Sequence, residues 1–404
     1  MIAEIKKSYL SGEAYVPASK SMAHRLLICA GLSNGTSIIK KVTFSEDILA
    51  TLDCLSVMGA EYKINENTVK IKGVGNIIQD GEKEFDCRES GSTLRFFIPL
   101  LLLSDKNQTF RGKGRLMERP QSVYEDICKE KGLRFDFADN KITVCGKLTG
   151  GHYYVRGDIS SQFITGLLFA LSKCENDSFI HITTPLESRS YIDMTFYALS
   201  LFSVSCSFID ENTICVKGNQ DYIFRDITVE GDYSASAFLE ALNYLGGKII
   251  INGLNEKSFQ GDRVYMDNFK LLSDSSPTLD VADCPDLAPI LMTLAAAKNG
   301  AVLTGTKRLK IKESDRGAVM ASELSKFGAN IEVYENEIVI RPSELYKPTD
   351  ILYGHNDHRV VMSLAVLSTV YGGRITDAEA VRKSYPGFFE TLSALGTEVL
   401  LYDY

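Results

Sequence analysis

The sequence has no Cys-x-x-Cys pair and no Cys/His spacing of the metal-binding kind; its nine cysteines stand singly. This excludes a disulfide framework and points to reduced thiols in a cytosol-like compartment, packed as small apolar side chains. Positive charge is in deficit, with 44 Lys and Arg against 52 Asp and Glu and a formal net charge of −8. A chain that binds nucleic acid or a membrane surface through a general field would carry the opposite sign. Basic clusters must then be local sites. No uninterrupted apolar run of about 18 residues occurs, and Met1-Ile2-Ala3-Glu4 lacks the basic start and apolar stretch of an export signal. A soluble, unexported, cytoplasmic protein is expected. Gly-x-x-x-x-Gly-Lys-Ser/Thr is missing, and Gly112-Lys113-Gly114 has neither a third glycine nor a βαβ setting, so no nucleotide motif stands out. His355 and His358 lie three apart without a third ligand, and read as ordinary polar histidines.

What is present is repetition. A chain of 404 residues calls for two domains of about 200 residues, and one unit recurs about six times along it. Each copy opens on small polar residues, runs into an apolar helix, and turns at Gly or Asn into a short strand. The starts are Ser19-Lys20-Ser21, Gly91-Ser92-Thr93, Ser160-Ser161-Gln162, Ser234-Ala235-Ser236, Pro285-Asp286-Leu287 and Asn356-Asp357-His358. Most continue into a second helix ending in a Leu-x-x-x-Gly pattern, as at 392–396, and then into two alternating segments that read as a hairpin, as at 61–64 with 69–72 and 331–334 with 337–340. The unit is βαβαββ-like and about 70 residues long, a supersecondary module that must pack on its neighbours. The copy after Ser234 looks truncated, with little room between Asn268 and Asp283 for a full second helix and hairpin. A boundary falls near residues 227–231.

Helix starts of this kind expose free N–H groups and about half a positive charge, and they bind anions. A capping role explains each Ser or Thr singly; it does not explain Lys20 or Arg25 beside them. Further cations stand at Arg115, Arg119, Arg359 and Lys383. The densest charge lies at Ile311-Lys312-Glu313-Ser314-Asp315-Arg316, after the basic run 307–310. If this segment opens a helix, Lys312, Asp315 and Arg316 share one face with Glu313 beside them. The plain reading of a mixed-charge helix start is a solvated face. Several anion-binding starts in one chain favour a polyanionic small ligand instead.

The ordered set VPASKSMAHR (16–25), SGSTLRF (90–96), RLMERP (115–120), DISSQFITGLL (158–168), LESRSYIDMT (186–195), VEGDYSASAF (229–238), CPDLAPI (284–290), IKESDR (311–316), NDHR (356–359) and RKSYPGFF (382–389) resembles the EPSP synthase family, the 3-phosphoshikimate 1-carboxyvinyltransferases, along the whole chain. The resemblance implies an α/β fold: a two-lobed inside-out α/β barrel of six βαβαββ-like repeats, three per lobe. One lobe would comprise 1–16 plus 230–404 and the other 17–229, with the active site in the interlobe cleft. It implies transfer of the enolpyruvyl group of phosphoenolpyruvate to the 5-hydroxyl of shikimate 3-phosphate, in aromatic amino acid biosynthesis. Neither a metal nor an organic cofactor is implied, and the expected partners are these two small molecules, with the protein a monomer.

Position by position, the resemblance places Lys20, Ser21, Arg25, Ser160, Ser161, Gln162 and Ser188 on shikimate 3-phosphate, with Asp286 and Lys312 also reaching it. It places Lys20, Gly91, Arg119, Gln162, Arg316, Arg359 and Lys383 on phosphoenolpyruvate, and gives Asp286, Lys312 and Glu313 the proton transfers. Departures from the family pattern are Ala18, His24, Glu89-Ser90, Phe96 and Arg308. The sister transferase acting on UDP-N-acetylglucosamine opens with Lys-Asn and carries a loop cysteine, whereas this chain has Lys20-Ser21 and no cysteine between Arg111 and Arg119. A non-catalytic anion-binding relative would be expected to lose Asp286, Lys312 and Glu313; all three are present. Anionic ligands shared by two lobes predict closure on binding, visible as compaction in small-angle scattering.

Overall fold

The computed structural model describes residues 1–77 and 81–403. Its chain divides into two compact units: Met1–Pro17 with Gly231–Glu256 and Gln260–Tyr404, and Ala18–Glu230 with Lys257–Phe259. Twelve α-helices occur among the described residues. In chain order they are α1 (Lys20–Leu32), α2 (Glu46–Met58), α3 (Gly91–Leu101), α4 (Ser122–Lys131), α5 (Ser161–Leu171), α6 (Arg189–Leu201), α7 (Tyr233–Tyr244), α8 (Tyr265–Asp274), α9 (Ala288–Ala297), α10 (Arg316–Ser325), α11 (His358–Tyr371) and α12 (Phe388–Ala394).

All six repeat starts read from the sequence are helix N-termini. Ser19, Ser90, Ser160, Asp232 and Asp357 cap five of them, each side chain accepting from a backbone N–H two or three residues on. Second helices end at or within three residues before the expected glycines, Gly59, Gly132, Gly328 and Gly396, all with positive φ. Helices α1, α3, α5, α7, α9 and α11 are apolar nearly all round and almost wholly buried, as such helices must be. The other six are amphipathic and partly exposed. Helices therefore form the interior of each unit and the sheets lie outside, with one face toward solvent.

In the unit built on Ala18–Glu230, three four-stranded sheets repeat one plan. The strands lie in the orders Asp226–Thr228, Thr36–Lys40, Thr68–Lys72, Glu61–Asn65; Lys83–Asp86, Gln108–Arg111, Lys141–Cys145, Arg134–Ala138; and His152–Val155, Ser178–Ile182, Thr213–Val216, Cys206–Phe208. In each, the first pair is parallel and the rest antiparallel. In the second and third sheets α3 and α5 make the parallel crossover. In the first, the strand 226–228 returns from the far end of the unit to complete it. Gly166 allows α3 and α5 to touch: a Cβ there would lie 2.3 Å from both Arg95 O and the Tyr124 hydroxyl.

The other unit keeps the plan once in full, in Thr278–Asp280, Ala301–Thr304, Glu337–Arg341 and Asn330–Val333. A second sheet runs Gly373–Ile375, Ile2–Ile5, Val399–Tyr402, its parallel member reduced to one bridge from Leu352 to Ile375. The third is only the parallel pair Lys248–Asn252 and Ser11–Tyr15. This is the truncated copy. It has lost its hairpin, but contrary to expectation it retains a ten-residue second helix, α8. All nine cysteines are free thiols, six of them buried.

Candidate functional site

In the unit built on Ala18–Glu230, hydrogen-bonded side chains draw three buried helix starts together. His24 Nδ1 meets Thr51 Oγ1 at 2.8 Å, Thr51 meets Thr93 at 2.8 Å, and the Thr93 hydroxyl donates to the α3 cap Ser90 at 2.8 Å. Gln162 joins α5 to α3, accepting from Arg95 Nη1 (2.8 Å) and donating to Ser92 Oγ (3.0 Å). Arg25 ties α1 to α5 and α6, donating to Thr195 Oγ1 (2.8 Å), Ser21 O (2.7 Å), Tyr191 O (3.0 Å) and Thr165 Oγ1 (3.5 Å). These contacts converge the positive helix ends on one region.

Lys20, in the first turn of α1, pairs with Asp47 at 2.8 Å, and both are mostly buried. Ser21, Ser160 and Gln162 are half-buried around the same helix ends, and Ser161 is buried at the first position of α5. Ser188 precedes α6 in the left-handed region, φ 60° and ψ 42°, an uncommon conformation for serine that often marks a ligand-contacting turn. Arg119 follows the 3-10 turn Leu116–Glu118 and packs flat against Gly91. A Cβ at Gly91 would lie 2.6 Å from Arg119 Nη1 and 3.0 Å from Cζ, so a side chain there would push the guanidinium aside. Arg115 is exposed and pairs with Glu118 at 3.5 Å. Arg25, expected to reach a ligand, spends four of its five N–H groups on protein, and burial pulls its pKa down to about 10. In this state it positions Ser21.

The other unit holds a tighter cluster. Asp286, just before α9, accepts from Arg316 Nη1 (2.8 Å), Lys312 Nζ (3.2 Å) and Arg359 Nη2 (3.4 Å). Arg316 Nη2 also donates to Glu313 at 2.8 Å, and its Nε donates to Asp357 at 2.9 Å. Lys383 donates to the Asn356 carbonyl at 2.6 Å. Burial works against the Arg316 charge, but Asp357, Glu313 and Asp286 outweigh it and hold the guanidinium well above its ordinary pKa. Burial lowers the Lys312 pKa, Asp286 opposes the shift and Arg316 adds to it. A lysine so placed is suited to exchange protons nearer neutrality.

The expected single helical face at 311–316 does not form. Residues 307–311 make a 3-10 turn, Lys312 is extended, and Asp315 caps α10 by accepting from Ala318 N at 3.2 Å. Asp315 thus serves as the helix cap, and Lys312, Glu313 and Arg316 meet through loop geometry. Sequence reasoning passed over Asp357 as a helix start. It is fully buried and is both the α11 cap and the main counter-ion of Arg316. It also passed over Asp47 and the threonines at 51, 93, 165 and 195, whose partners are far away in sequence. Among the described residues no three His, Cys, Asp or Glu side chains form a metal cluster.

Two clusters of cations and helix ends, one with three cations on a single carboxylate, agree with the motif set, and comparison with known sequences decides the family. Residues 5–272 and 274–392 match the family described as EPSP synthase (3-phosphoshikimate 1-carboxyvinyltransferase). The chain belongs to the EPSP synthase family. It is similar to the 3-phosphoshikimate 1-carboxyvinyltransferase of Clostridium kluyveri, 41% identical over 416 residues and covering 98% of this chain and 97% of that one. The protein of the same name from Clostridium perfringens is 38% identical over 415 residues, covering 97% of each. EPSP synthase from Acinetobacter baumannii shares the fold, with a TM-score of 0.80 at 22% identity, over 99% of this chain and 100% of that one.

Where this chain departs from the EPSP synthase pattern, the replacements are accommodated. His24 is buried, and burial, followed by Lys20 and Arg25, holds its pKa well below the usual imidazole value. It therefore remains neutral beside two cations. Phe96 packs edge-on to His24 and under the Arg25 guanidinium, 5.5 Å from the ring centroid. Arg308 is buried and donates to the Ala282 carbonyl. Glu89 packs against Gly114 in the loop that leads to Arg119. Gly91→Ala is expected to displace the Arg119 guanidinium and raise KM for phosphoenolpyruvate by about tenfold or more, with KM for the second substrate little changed. Initial rates with each substrate varied in turn test this.

Proposed function

We propose that this chain transfers the enolpyruvyl group of phosphoenolpyruvate to the 5-hydroxyl of shikimate 3-phosphate and releases phosphate. The observation that carries the reading is Asp286 gathering Lys312, Arg316 and Arg359, with Glu313 on the same guanidinium. The two substrates together bring about five negative charges, which repel strongly wherever water is excluded. Comparable positive charge must be in place before the reacting atoms meet. In this reading Arg119, Arg316, Arg359 and Lys383, with the open face of Gly91, hold phosphoenolpyruvate. Ser21, Arg25, Ser160, Ser161, Gln162 and Ser188 hold shikimate 3-phosphate, and Lys20 serves both.

Addition requires a proton at the methylene carbon of phosphoenolpyruvate and the loss of one from the 5-hydroxyl. Elimination of phosphate then returns the carbon-bound proton to the protein. Glu313 is assigned the proton exchange at carbon, and Asp286 accepts from or orients the hydroxyl. Lys312, with its lowered pKa, shares the transfers. The protein is read as a cytoplasmic monomer with these two small molecules as its only substrates.

Phosphate release from phosphoenolpyruvate is expected with shikimate 3-phosphate and not with UDP-N-acetylglucosamine. Release with the nucleotide sugar, or with neither acceptor, overturns the reading.

A further inference from the structure

One buried acid in the unit of Asp286 has no part in the assignments above, and neither has His355 in the loop before α11. Glu323 lies near the end of α10 and is 2% exposed. It follows Arg316 by seven residues, two helical turns, so both side chains leave α10 on the same face. Arg316 Nε holds Asp357 at 2.9 Å. Glu323 Oε2 accepts from Tyr353 N at 2.7 Å, and its Oε1 is 3.5 Å from His355 Nε2. Helix α10 therefore grips both ends of the segment 353–357 with two buried groups of opposite charge.

A buried carboxylate is costly unless it is paired and hydrogen-bonded. Lys326, one turn on, supplies the pairing: its Nζ is 2.6 Å from Glu323 Oε2, donates to Ile351 O at 3.0 Å and stands 4.5 Å from the centre of the Tyr353 ring. Between the two holds the backbone is unusual. His355 and Asn356 both have positive φ, 52° and 51°, and two such residues in succession persist only where the surroundings impose them. Gly354 is packed too closely for any side chain, since a Cβ there would lie 2.4 Å from Thr376 O and 2.5 Å from Val361 Cγ2. The turn so formed presents the Asn356 carbonyl to Lys383, whose Nζ donates to it at 2.6 Å.

We propose that Glu323 is a positioning residue for the enolpyruvyl transfer: by holding Tyr353 N it fixes the turn at His355 and Asn356, and through the Asn356 carbonyl it places the Lys383 ammonium for phosphoenolpyruvate. The inference rests on the proposed function, and in particular on Lys383 as a phosphoenolpyruvate ligand. An ammonium has three N–H donors; the carbonyl takes one and so directs the others. Without the hold at Tyr353 the strained turn relaxes and the ammonium loses its aim, a misplacement that weakens binding without altering the reacting groups. Arg316 keeps its grip on Asp357 and Asp286, so the proton transfers are spared.

The test is steady-state kinetics of the full-length protein and its Glu323→Ala and Glu323→Gln variants, each substrate varied in turn with the other saturating. Glu323→Ala is expected to raise KM for phosphoenolpyruvate by about tenfold. Its kcat and its KM for shikimate 3-phosphate should each change by less than about twofold. Glu323→Gln keeps an oxygen to accept from Tyr353 N and should return KM to within about threefold of the parent. In Lys383→Met, whose own KM is raised, Glu323→Ala should add less than about twofold, because the group it positions is gone.

A loss shared equally by kcat and both KM values is what a merely structural role would give, and it overturns the proposal. An effect that persists undiminished in the Lys383→Met background does the same. Should Glu323→Ala fail to fold, Lys326→Met removes the cation that fixes both the carboxylate and Ile351 O. It must raise KM for phosphoenolpyruvate in the parent and not in Lys383→Met; no rise overturns the proposal equally. An active parent whose Glu323 variants keep its KM sinks this inference alone, whereas a parent with no turnover of phosphoenolpyruvate and shikimate 3-phosphate sinks the functional reading and this inference with it.

Discussion

Asp286→Asn is expected to lower kcat by about a hundredfold to ten-thousandfold, the range for loss of a positioned acid or base, while KM for phosphoenolpyruvate stays level or falls. The two halves of that expectation have different origins. Turnover suffers because an amide cannot accept the hydroxyl proton. Binding does not, because Asp286 is paired with Lys312, Arg316 and Arg359 in the unliganded protein and competes with ligand anions for them. Removing its charge leaves Lys312 and Arg359 more available to the ligand anions, while Arg316 keeps Glu313 and Asp357. A residue that merely held the fold would raise KM and lower kcat together. Glu313→Gln should reproduce the fall in kcat. If both variants turn over near the parent rate, the proton-transfer assignment is wrong. Rates with both substrates saturating, beside equilibrium binding of phosphoenolpyruvate, separate these cases.

Arg316→Leu is expected to destabilise its unit by about 3–5 kcal/mol, a large share of the roughly 5–15 kcal/mol that holds a domain together. Its side chain is 1% exposed and that of Asp357 is 0%, so loss of the cation strands a carboxylate that water cannot reach. Ser314 Oγ, which donates to Asp357 at 2.9 Å, covers only part of the deficit. The double variant Arg316→Leu/Asp357→Asn removes that charge and keeps an oxygen to cap α11. It should regain much of the loss, as read from urea midpoints in a double-mutant cycle. If it is as unstable as the single variant, lost packing rather than stranded charge is the cause.

The six helix starts were legible because each obeys a local rule: a small hydroxyl or carboxylate residue before an apolar run, and a glycine after the second helix. Hairpins such as 61–64 with 69–72 were legible from alternation, and the structure extends this one by a pair at the turn, with Glu61 facing Lys72 and Asn65 facing Thr68. The charge cluster at 311–316 was visible, but its geometry was not. Asp315 could sit on the helical face with Lys312 or cap the next helix, and capping won because α10 needs an acceptor at its N-terminus. Partners of buried polar groups were the least legible. His24 finds Thr51 27 residues away and Arg25 finds Thr195 170 residues away; no periodicity spans such distances. Asp357 was hidden for the same reason, since a buried acid is recognised by what surrounds it in space.

The strand Ile2–Ile5 lies between Gly373–Ile375 and Val399–Tyr402. During synthesis this first strand has no sheet to join until residues 373–402 have been made, since both of its neighbours lie there. The unit built on Ala18–Glu230 draws nearly all of its partners from one contiguous stretch and can be completed while the ribosome is still translating the rest. Order of emergence therefore favours the helix starts around Lys20, Gly91 and Ser160 settling before the acids and cations around Asp286.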